Sequence, residues 1–359
     1  MKNIFLMLTV FSFSFLQAQE FQLPEAVSNN AVAIANVNGQ PILFSFNGLA
    51  QGKTYKDIHA KAYSVNLVTN QRKSLASLPD GKGRLASIAV TVSNRIFVIG
   101  GYTVVEDQSE ISTPQIFEYL PHENKYRLTS EMPVPVDDTV ALVYQDRYIY
   151  LVSGWHDSGN STNTGNVNLV QVFDIQQGSW FNATPFPGAP VFGHAGGIVD
   201  DQFLIVDGVK VNAVVNSKRQ YGPSEENWHG QIDAQDPAVI RWTKIKKHPF
   251  KPLYRMASTG IKQKQQIFFA GGSDNPYNYS GIGYDKQPSK ASSKVFSYDL
   301  ERSRWQVYSP KSIVSMDHRG LLQSSDVLYI IGGMGENQKV LATIQTISFS
   351  SLIDKKGSK

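Results

Sequence analysis

The sequence predicts an all-β protein, a six-bladed β-propeller with four strands in each blade. Three observations carry that expectation. First, an apolar run closed by a small or polar residue and a glycine occurs six times: ILFSFNGL (42–49), IFVIGGY (96–102), IYLVSGW (149–155), FLIVDGV (203–209), IFFAGGS (267–273) and LYIIGGM (328–334). Second, each run follows a short apolar segment rich in small residues. These segments are NNAVAIANV, RLASIAVTV, DDTVALVY, GHAGGIV, RMASTGI and HRGLLQ. Third, a further strand follows the glycine, as in QIFEYL, VQVFDI and KVFSYDL, and then a fourth carrying an aromatic residue at Tyr126, Trp180, Trp242 or Trp305.

Each element has a physical reason. Strict alternation of apolar and polar residues has the period of a strand, so a helical reading has no support. The small-residue segments suit the innermost strand of a blade, where six strands crowd round a narrow channel. The second glycines, Gly48, Gly101, Gly154, Gly208, Gly272 and Gly333, stand 53, 53, 54, 64 and 61 residues apart. The last copy is incomplete, because only 26 residues follow Gly333 and VLATIQTISF supplies a third strand alone. The segment EFQLPEAVS (20–28) has the aromatic-then-proline pattern that closes other repeats, as in SWFNATPFPG. Phe21 and Gln22 are therefore expected as the outermost strand of the last blade, which removes an open sheet edge.

A period near 50 with a glycine pair resembles the kelch-repeat family, and the resemblance covers essentially all of the chain beyond its N-terminus. Residues 1–18 read as a signal peptide, with Lys2 ahead of an apolar stretch from Ile4 to Leu16 and the small residue Ala18. That stretch is shorter than a membrane span requires. The expected organisation is a signal peptide (1–18), a propeller (19–353) and a disordered basic tail (354–359). The expected location is the bacterial periplasm or the medium. The chain contains no cysteine, so disulfides and thiolate ligands play no part. Without residues 1–18 there are 33 basic and 30 acidic side chains, a net of +3 too small to imply a nucleic-acid partner. Lys244, Lys246, Lys247 and Lys251 read as a solvated face. No metal-ligand cluster, phosphate-binding loop or nucleophile elbow is visible, and no cofactor is expected.

In a blade of alternating strands, the loops leading into the inner strand and those after the glycine pair meet at one channel mouth. The lead-in loops contain Arg84, Asp137, Asp138, His194, Arg255, Asp317, His318 and Arg319. The other loops contain Trp155, Asn275, Tyr277 and Tyr284. Aromatic rings beside polar and charged groups suit a sugar, whose CH faces stack while its hydroxyls take donors and acceptors. Asp137 has two readings, a turn cap or a site carboxylate, and His194 is either a packing residue or a base. Arg84, Arg255 and Arg319, read as equivalent lead-in residues, repel one another unless paired. Asp138 and Asp317 as partners would make the set structural, and a carboxylated sugar is the functional alternative.

Two kelch-type enzyme families bear on the function. The propeller resembles that of galactose oxidase-like copper radical oxidases, but their cofactor needs a tyrosine–cysteine crosslink and this chain has no cysteine. The stretches SDNPYNYSGIGYDKQPSKASSKVFSYD (273–299) and PVFGHAGGIVDDQFLIVDG (190–208) resemble the periplasmic sialic acid mutarotase (N-acetylneuraminate epimerase) family. That resemblance implies an acidic residue just after the blade-four glycine and an arginine several residues on. Here Val209 and Lys210 follow the glycine, and the nearest arginine is Arg219. The expectation is thus a carbohydrate-binding propeller, with an acidic sugar as one ligand class and altered mutarotase chemistry as one activity. In it Arg255 and Arg319 hold the carboxylate, Tyr277 and Tyr284 stack on the ring, Arg84, Asn275, Trp155 and His318 add contacts, and His194, Asp138 or Asp317 moves the proton. The competing expectation is a non-catalytic propeller that binds protein or polysaccharide through the same loops.

Overall fold

Alternating apolar residues bury one face of each strand, and here that burial stacks sheets around an axis. The computed structural model describes residues 20–107, 109–159, 164–216, 218–309 and 313–352. The expected signal peptide and basic tail lie outside them. Six four-stranded antiparallel sheets form the blades. From the axis outward, blade 1 is Ala31–Val37, Gln40–Leu49, Ile58–Asn66 and Arg72–Leu75. Blade 2 is Ile88–Val92, Arg95–Ile99, Gln115–Leu120 and Lys125–Glu131. Blade 3 is Val140–Tyr144, Tyr148–Val152, Val170–Asp174 and Ser179–Asn182. Blade 4 is Ala195–Val199, Gln202–Val206, Asn227–Ile232 and Ile240–Ile245. Blade 5 is Ala257–Ile261, Gln266–Ala270, Val295–Asp299 and Arg304–Tyr308.

Blade 6 takes Leu322–Ser324, Val327–Ile331 and Thr343–Ser348 from the end of the chain and Phe21–Gln22 from its start. Phe21 stands opposite Ile344 and Gln22 opposite Thr343. The Leu23 amide extends the pairing to the Ala342 carbonyl at 2.8 Å, and the Phe21 ring packs edge-on against Tyr329 at 6.1 Å. The expected closure of the last blade is therefore present.

The glycine pairs have a conformational cause. The first member of each pair, Asn47, Gly100, Ser153, Asp207, Gly271 or Gly332, is left-handed, a region that short polar residues tolerate. The second is always glycine. At Gly101, with φ of 91°, a β-carbon would stand 2.2 Å from Ser87 Oγ and 2.6 Å from the Leu85 carbonyl oxygen. The small residues of the inner strands answer to crowding instead. A β-carbon on Gly260 would stand 1.9 Å from the Ile198 carbonyl oxygen of the neighbouring blade.

Outer-strand tryptophans fasten blades 3 and 5 to their predecessors. Trp180 Nε1 donates to Ser130 Oγ at 2.9 Å, and Trp305 Nε1 donates to the Lys246 carbonyl at 2.7 Å. Lys244 and Lys247 lie exposed and paired with Glu226 and Glu225, so this basic cluster forms a solvated face. Among the described residues no helix is long and apolar enough to cross a membrane.

Three of the loops after the glycine pairs are themselves hairpins rather than irregular connections. They pair Tyr102–Val104 with Glu110–Ser112, Trp155–His156 with Gly165–Asn166, and Val209–Val215 with Lys218–Pro223. All rise from the face where the inner strands begin.

Phe21→Ala removes a buried ring and its contact with Tyr329, so it is expected to lower stability by about 3 kcal/mol in chemical denaturation. A change below about 1 kcal/mol would mean that the terminal strand does not hold blade 6 closed.

Candidate functional site

The lead-in loops converge on the propeller axis in one backbone conformation. Asn29, Ala86, Asp138, Gly193, Arg255 and Asp317 occupy equivalent positions with φ between 51° and 73°. The residue before each pairs with the residue after the glycine pair of its own blade, as in Asp137 with Trp155 and Phe192 with Val209. Amides at these positions reach the neighbouring blade: Gly193 donates to the Asp138 carbonyl and Arg255 to the Gly193 carbonyl, both at 2.8 Å. Ala86 donates to Asn29 Oδ1 at 2.6 Å.

Four of the six positions hold polar side chains, which meet as a buried cluster. Arg255 donates to Asp138 Oδ2 from Nη2 at 2.6 Å and from Nε at 3.1 Å, and to Asp317 Oδ1 from Nη1 at 3.0 Å. Arg319 Nη1 lies 2.6 Å from Asp138 Oδ1. Its Nη2 and Nε donate to Asn29 Oδ1 at 2.8 and 3.2 Å. Asn29 Nδ2 donates to Asp317 Oδ1 at 3.2 Å, and the Tyr254 hydroxyl donates to Asp138 Oδ2 at 3.1 Å. Two guanidinium groups thus face two carboxylates, and the cluster is neutral. Burial alone would raise the Asp138 carboxyl, but Arg255 and Arg319 outweigh it and hold the group below its usual value. An apolar layer that includes Leu49, Leu85, Phe192, Met316, Met334 and Tyr254 meets the cluster through the Tyr254 hydroxyl.

This arrangement places the expected residues in three different settings. Asp138, Arg255 and Trp155 line a loop-face cavity of about 170 Å³, together with Tyr284. His194, His318 and Arg319 line the axial channel, about 310 Å³, that runs between the inner strands. His194 Nε2 lies 2.9 Å from the Val152 carbonyl and His318 Nε2 lies 2.7 Å from Ser315 Oγ. Burial depresses these imidazoles to about 4 and about 3, so both are neutral near pH 7. Asp317 is fully buried beneath the layer.

Arg84 is the clearest departure. It precedes the bridge residue Leu85, whereas Arg255 follows Tyr254 and Arg319 lies further along, so the three arginines are not equivalent. The Arg84 side chain turns outward to Asp80, Gln115 and the Phe117 ring. The expected stacking role of Tyr277 also fails. Its ring is 0% exposed and packs edge-on against Tyr254 at 5.0 Å, with its hydroxyl 3.5 Å from Asp317. Asn275 donates to Asp285 at 3.1 Å and faces an outer groove of about 530 Å³. Tyr284, 40% exposed, forms part of both cavity and groove and packs on Tyr221 at 4.5 Å.

The cavity also contains groups that sequence reasoning missed. Glu110 and Tyr221 arrive on the return strands of the blade 2 and blade 4 hairpins, and Phe192 lies beneath them. Alternation continuing past the glycine pairs, as in YTV and EIS, was the available signal. Tyr102, Tyr279 and Asn278 complete the wall, beside Asp137. Burial raises Glu110 to about 7 against the pull of Arg255, with Asp157 and Asp138 adding to the rise. Burial also carries Asp137 well above its ordinary value, although Ser112 donates to it. Val209 is fully buried against Phe192 and offers no polar group. Arg219 lies over the Trp155 ring at 5.3 Å and donates to the Thr164 carbonyl at 2.8 Å. Among the described residues no group of three or more His, Asp or Glu side chains is placed to hold a metal ion.

No known family's sequence profile matches the chain. It is similar to Kelch-like protein terF of Aspergillus terreus, 26% identical over 188 residues, 51% of this chain and 36% of that protein. Kelch-like protein 15 of Gallus gallus is 24% identical over 135 residues, 38% of this chain and 26% of that protein. The chain therefore spans well under half the length of these curated relatives. Among solved structures, that of YjhT superposes with a TM-score of 0.69 at 14% identity, over 91% of this chain and 96% of the other. The chain is a six-bladed propeller similar in sequence to Kelch-like proteins, and at these identities the likeness to YjhT is one of fold.

Two outcomes test the electrostatics. Arg255→Ala leaves Asp138 and Asp317 buried beside one remaining guanidinium and is expected to cost about 3–5 kcal/mol of stability at neutral pH. A loss under about 1 kcal/mol would contradict the cluster's structural role. Glu110 titrates higher folded than unfolded, so its cost to stability is absent below about 4.5 and complete above about 7. Glu110→Gln should raise the melting temperature near pH 8 and leave it unchanged near pH 4. The same shift at both values would contradict the assignment.

Proposed function

We propose that this propeller is an exported carbohydrate-binding protein, periplasmic or secreted, that seats one sugar ring in the loop-face cavity. The observation that supports it most is the wall itself. The aromatic residues Trp155, Tyr221, Tyr279 and Tyr284 and the polar residues Glu110, Asp137 and Asn278 line the same small space. Stacking on CH faces with polar groups fixing orientation is the chemistry of sugar recognition. Size limits the ligand: about 170 Å³ is below the roughly 300–1,000 Å³ that accommodates a drug-sized molecule, so a single ring fits better than a chain. An acidic sugar is the weaker form of this reading, because Arg255 and Arg319 already face carboxylates of the protein.

The enzymatic form of the reading is mutarotation. That reaction needs one group to take the anomeric hydroxyl proton and another to protonate the ring oxygen. Val209 can do neither. Glu110, raised to about 7, is the base in this reading, and Asp137, whose carboxyl burial raises well above its ordinary value, is the acid. The competing reading, a protein-binding scaffold, draws on the exposed Val214 and Val215 of the blade 4 hairpin, with Val105 and Ile111 on that of blade 2.

Calorimetric titration with a panel of neutral, amino and acidic monosaccharides tests the binding. Tyr284→Ala should weaken the best ligand about tenfold, the equivalent of one lost stacking contact. Exchange NMR should show faster anomerisation of that ligand, lost in Glu110→Gln. No binding across the panel would overturn the carbohydrate reading. Binding with unchanged anomerisation would overturn only the enzymatic form.

A further inference from the structure

The loop-face cavity has more carboxyl groups than its own cations neutralise. Arg255 is the one cation among its described lining residues, and its guanidinium is spent on Asp138 and Asp317. Arg319, on the channel side, is spent on Asp138 and Asn29. That leaves Glu110 and Asp137 without a basic partner. Asp137 accepts only a hydroxyl proton, from Ser112. Around these two carboxyls stand the aromatic side chains of Tyr102, Trp155, Tyr221, Tyr279 and Tyr284, with Arg219 over the Trp155 ring and Tyr221 packed on Tyr284. A cation within about 6 Å of an aromatic face gains about 0.5–2 kcal/mol, more when water is excluded.

From this juxtaposition we infer that the sugar seated here carries a protonated amino group, which lies against the aromatic wall between Glu110 and Asp137. The inference rests on the carbohydrate reading and names its ligand class, an amino sugar. An anionic sugar in the same place would bring its charge against these carboxyls once they ionise, with the Arg255 and Arg319 guanidiniums already matched and Arg219 held over Trp155 at the outer side of the wall. A neutral sugar would leave the carboxyls to share protons with solvent.

Charge linkage follows. The surroundings of Glu110 are Asp137, Asp138 and Asp157 on the acidic side, Arg255 on the basic side, and the phenols of Tyr102, Tyr221 and Tyr279. Arg219 bonds Tyr221 and lies over the Trp155 ring at 5.3 Å. Burial keeps Glu110 protonated to about 7, so an entering ammonium displaces a proton. For a carboxyl titrating at about 7, the ionised fraction grows roughly 30-fold from about pH 5.5 to about pH 8. Affinity for a fixed cation should follow that rise.

The test is calorimetric titration of the mature chain with four probes. They are the N,N,N-trimethyl derivative of D-glucosamine, whose charge does not titrate, N-acetyl-D-glucosamine, D-glucuronate and tetramethylammonium. The cationic sugar is expected to bind at least about tenfold tighter than the N-acetyl sugar near pH 8. It should also release a proton, read by repeating the titration in buffers of different ionisation enthalpy. Its gain with pH should vanish in Glu110→Gln. Equal affinity for the cationic and neutral sugars near pH 8, or tightest binding of glucuronate, would overturn the ligand class while leaving the carbohydrate reading standing. Tetramethylammonium binding with no sugar binding would sustain the cation-selective wall and remove the sugar. No binding of any probe would overturn both.

Discussion

Arg255 stands between Asp138 and Asp317 at the point where six blades meet, and much of the architecture depends on that contact. Three blades supply these side chains, and Asn29 brings in a fourth. Their lead-in loops turn inward through left-handed residues, so each side chain projects toward the axis from the same height. Ionised groups with almost no exposure are costly unless paired and hydrogen-bonded. Here the two guanidiniums face the two carboxylates, with Asn29 and Tyr254 adding hydrogen bonds, while Asp317 Oδ2 has no hydrogen-bond partner among the described residues. The result is a neutral plug between the axial channel and the loop face.

That neutrality decides what the loop face can recognise. An arginine pair beside a cavity ordinarily suggests an anion, because a guanidinium presents a fork to a carboxylate. In this protein the forks are already occupied from within, and removing a partner would leave charge buried. Chemistry at the mouth then falls to groups the plug does not use: the aromatic residues of the cavity wall, the Glu110 carboxyl, raised by burial to about 7, and the Asp137 carboxyl, which burial raises well above its ordinary value. The apolar Val209, bridged to Phe192, is a buried member of the apolar layer, so its position serves packing.

The repeat was legible because its cause is local. A second glycine at φ of 85° or more is imposed by steric contact in every blade, and a small residue on an inner strand by the neighbouring blade. Closure by Phe21 and Gln22 was legible because a missing strand has a recognisable complement. The site was legible in part: Trp155, Tyr284, Asp138 and Arg255 reach the cavity from loops the repeat had marked. Other residues depended on offsets of one or two positions. Arg84 lies before the bridging residue and turns outward, while Arg255 lies after one and turns inward. His194 and His318 fall one position beyond the plug, into the channel. Glu110 and Tyr221 escaped notice because hairpins within the loops fold them back over the mouth, a long-range placement that spacing alone does not show.

The central claim is that the axial guanidiniums are sealed and matched within the protein. Exchange of the Arg255 and Arg319 Nε–H protons with solvent, followed by NMR in the ligand-free chain, measures it directly. Protection that persists until the propeller opens globally is the predicted result. Exchange at the rate of a free arginine would show guanidiniums open to solvent, and would return both to the loop face as anion-binding groups.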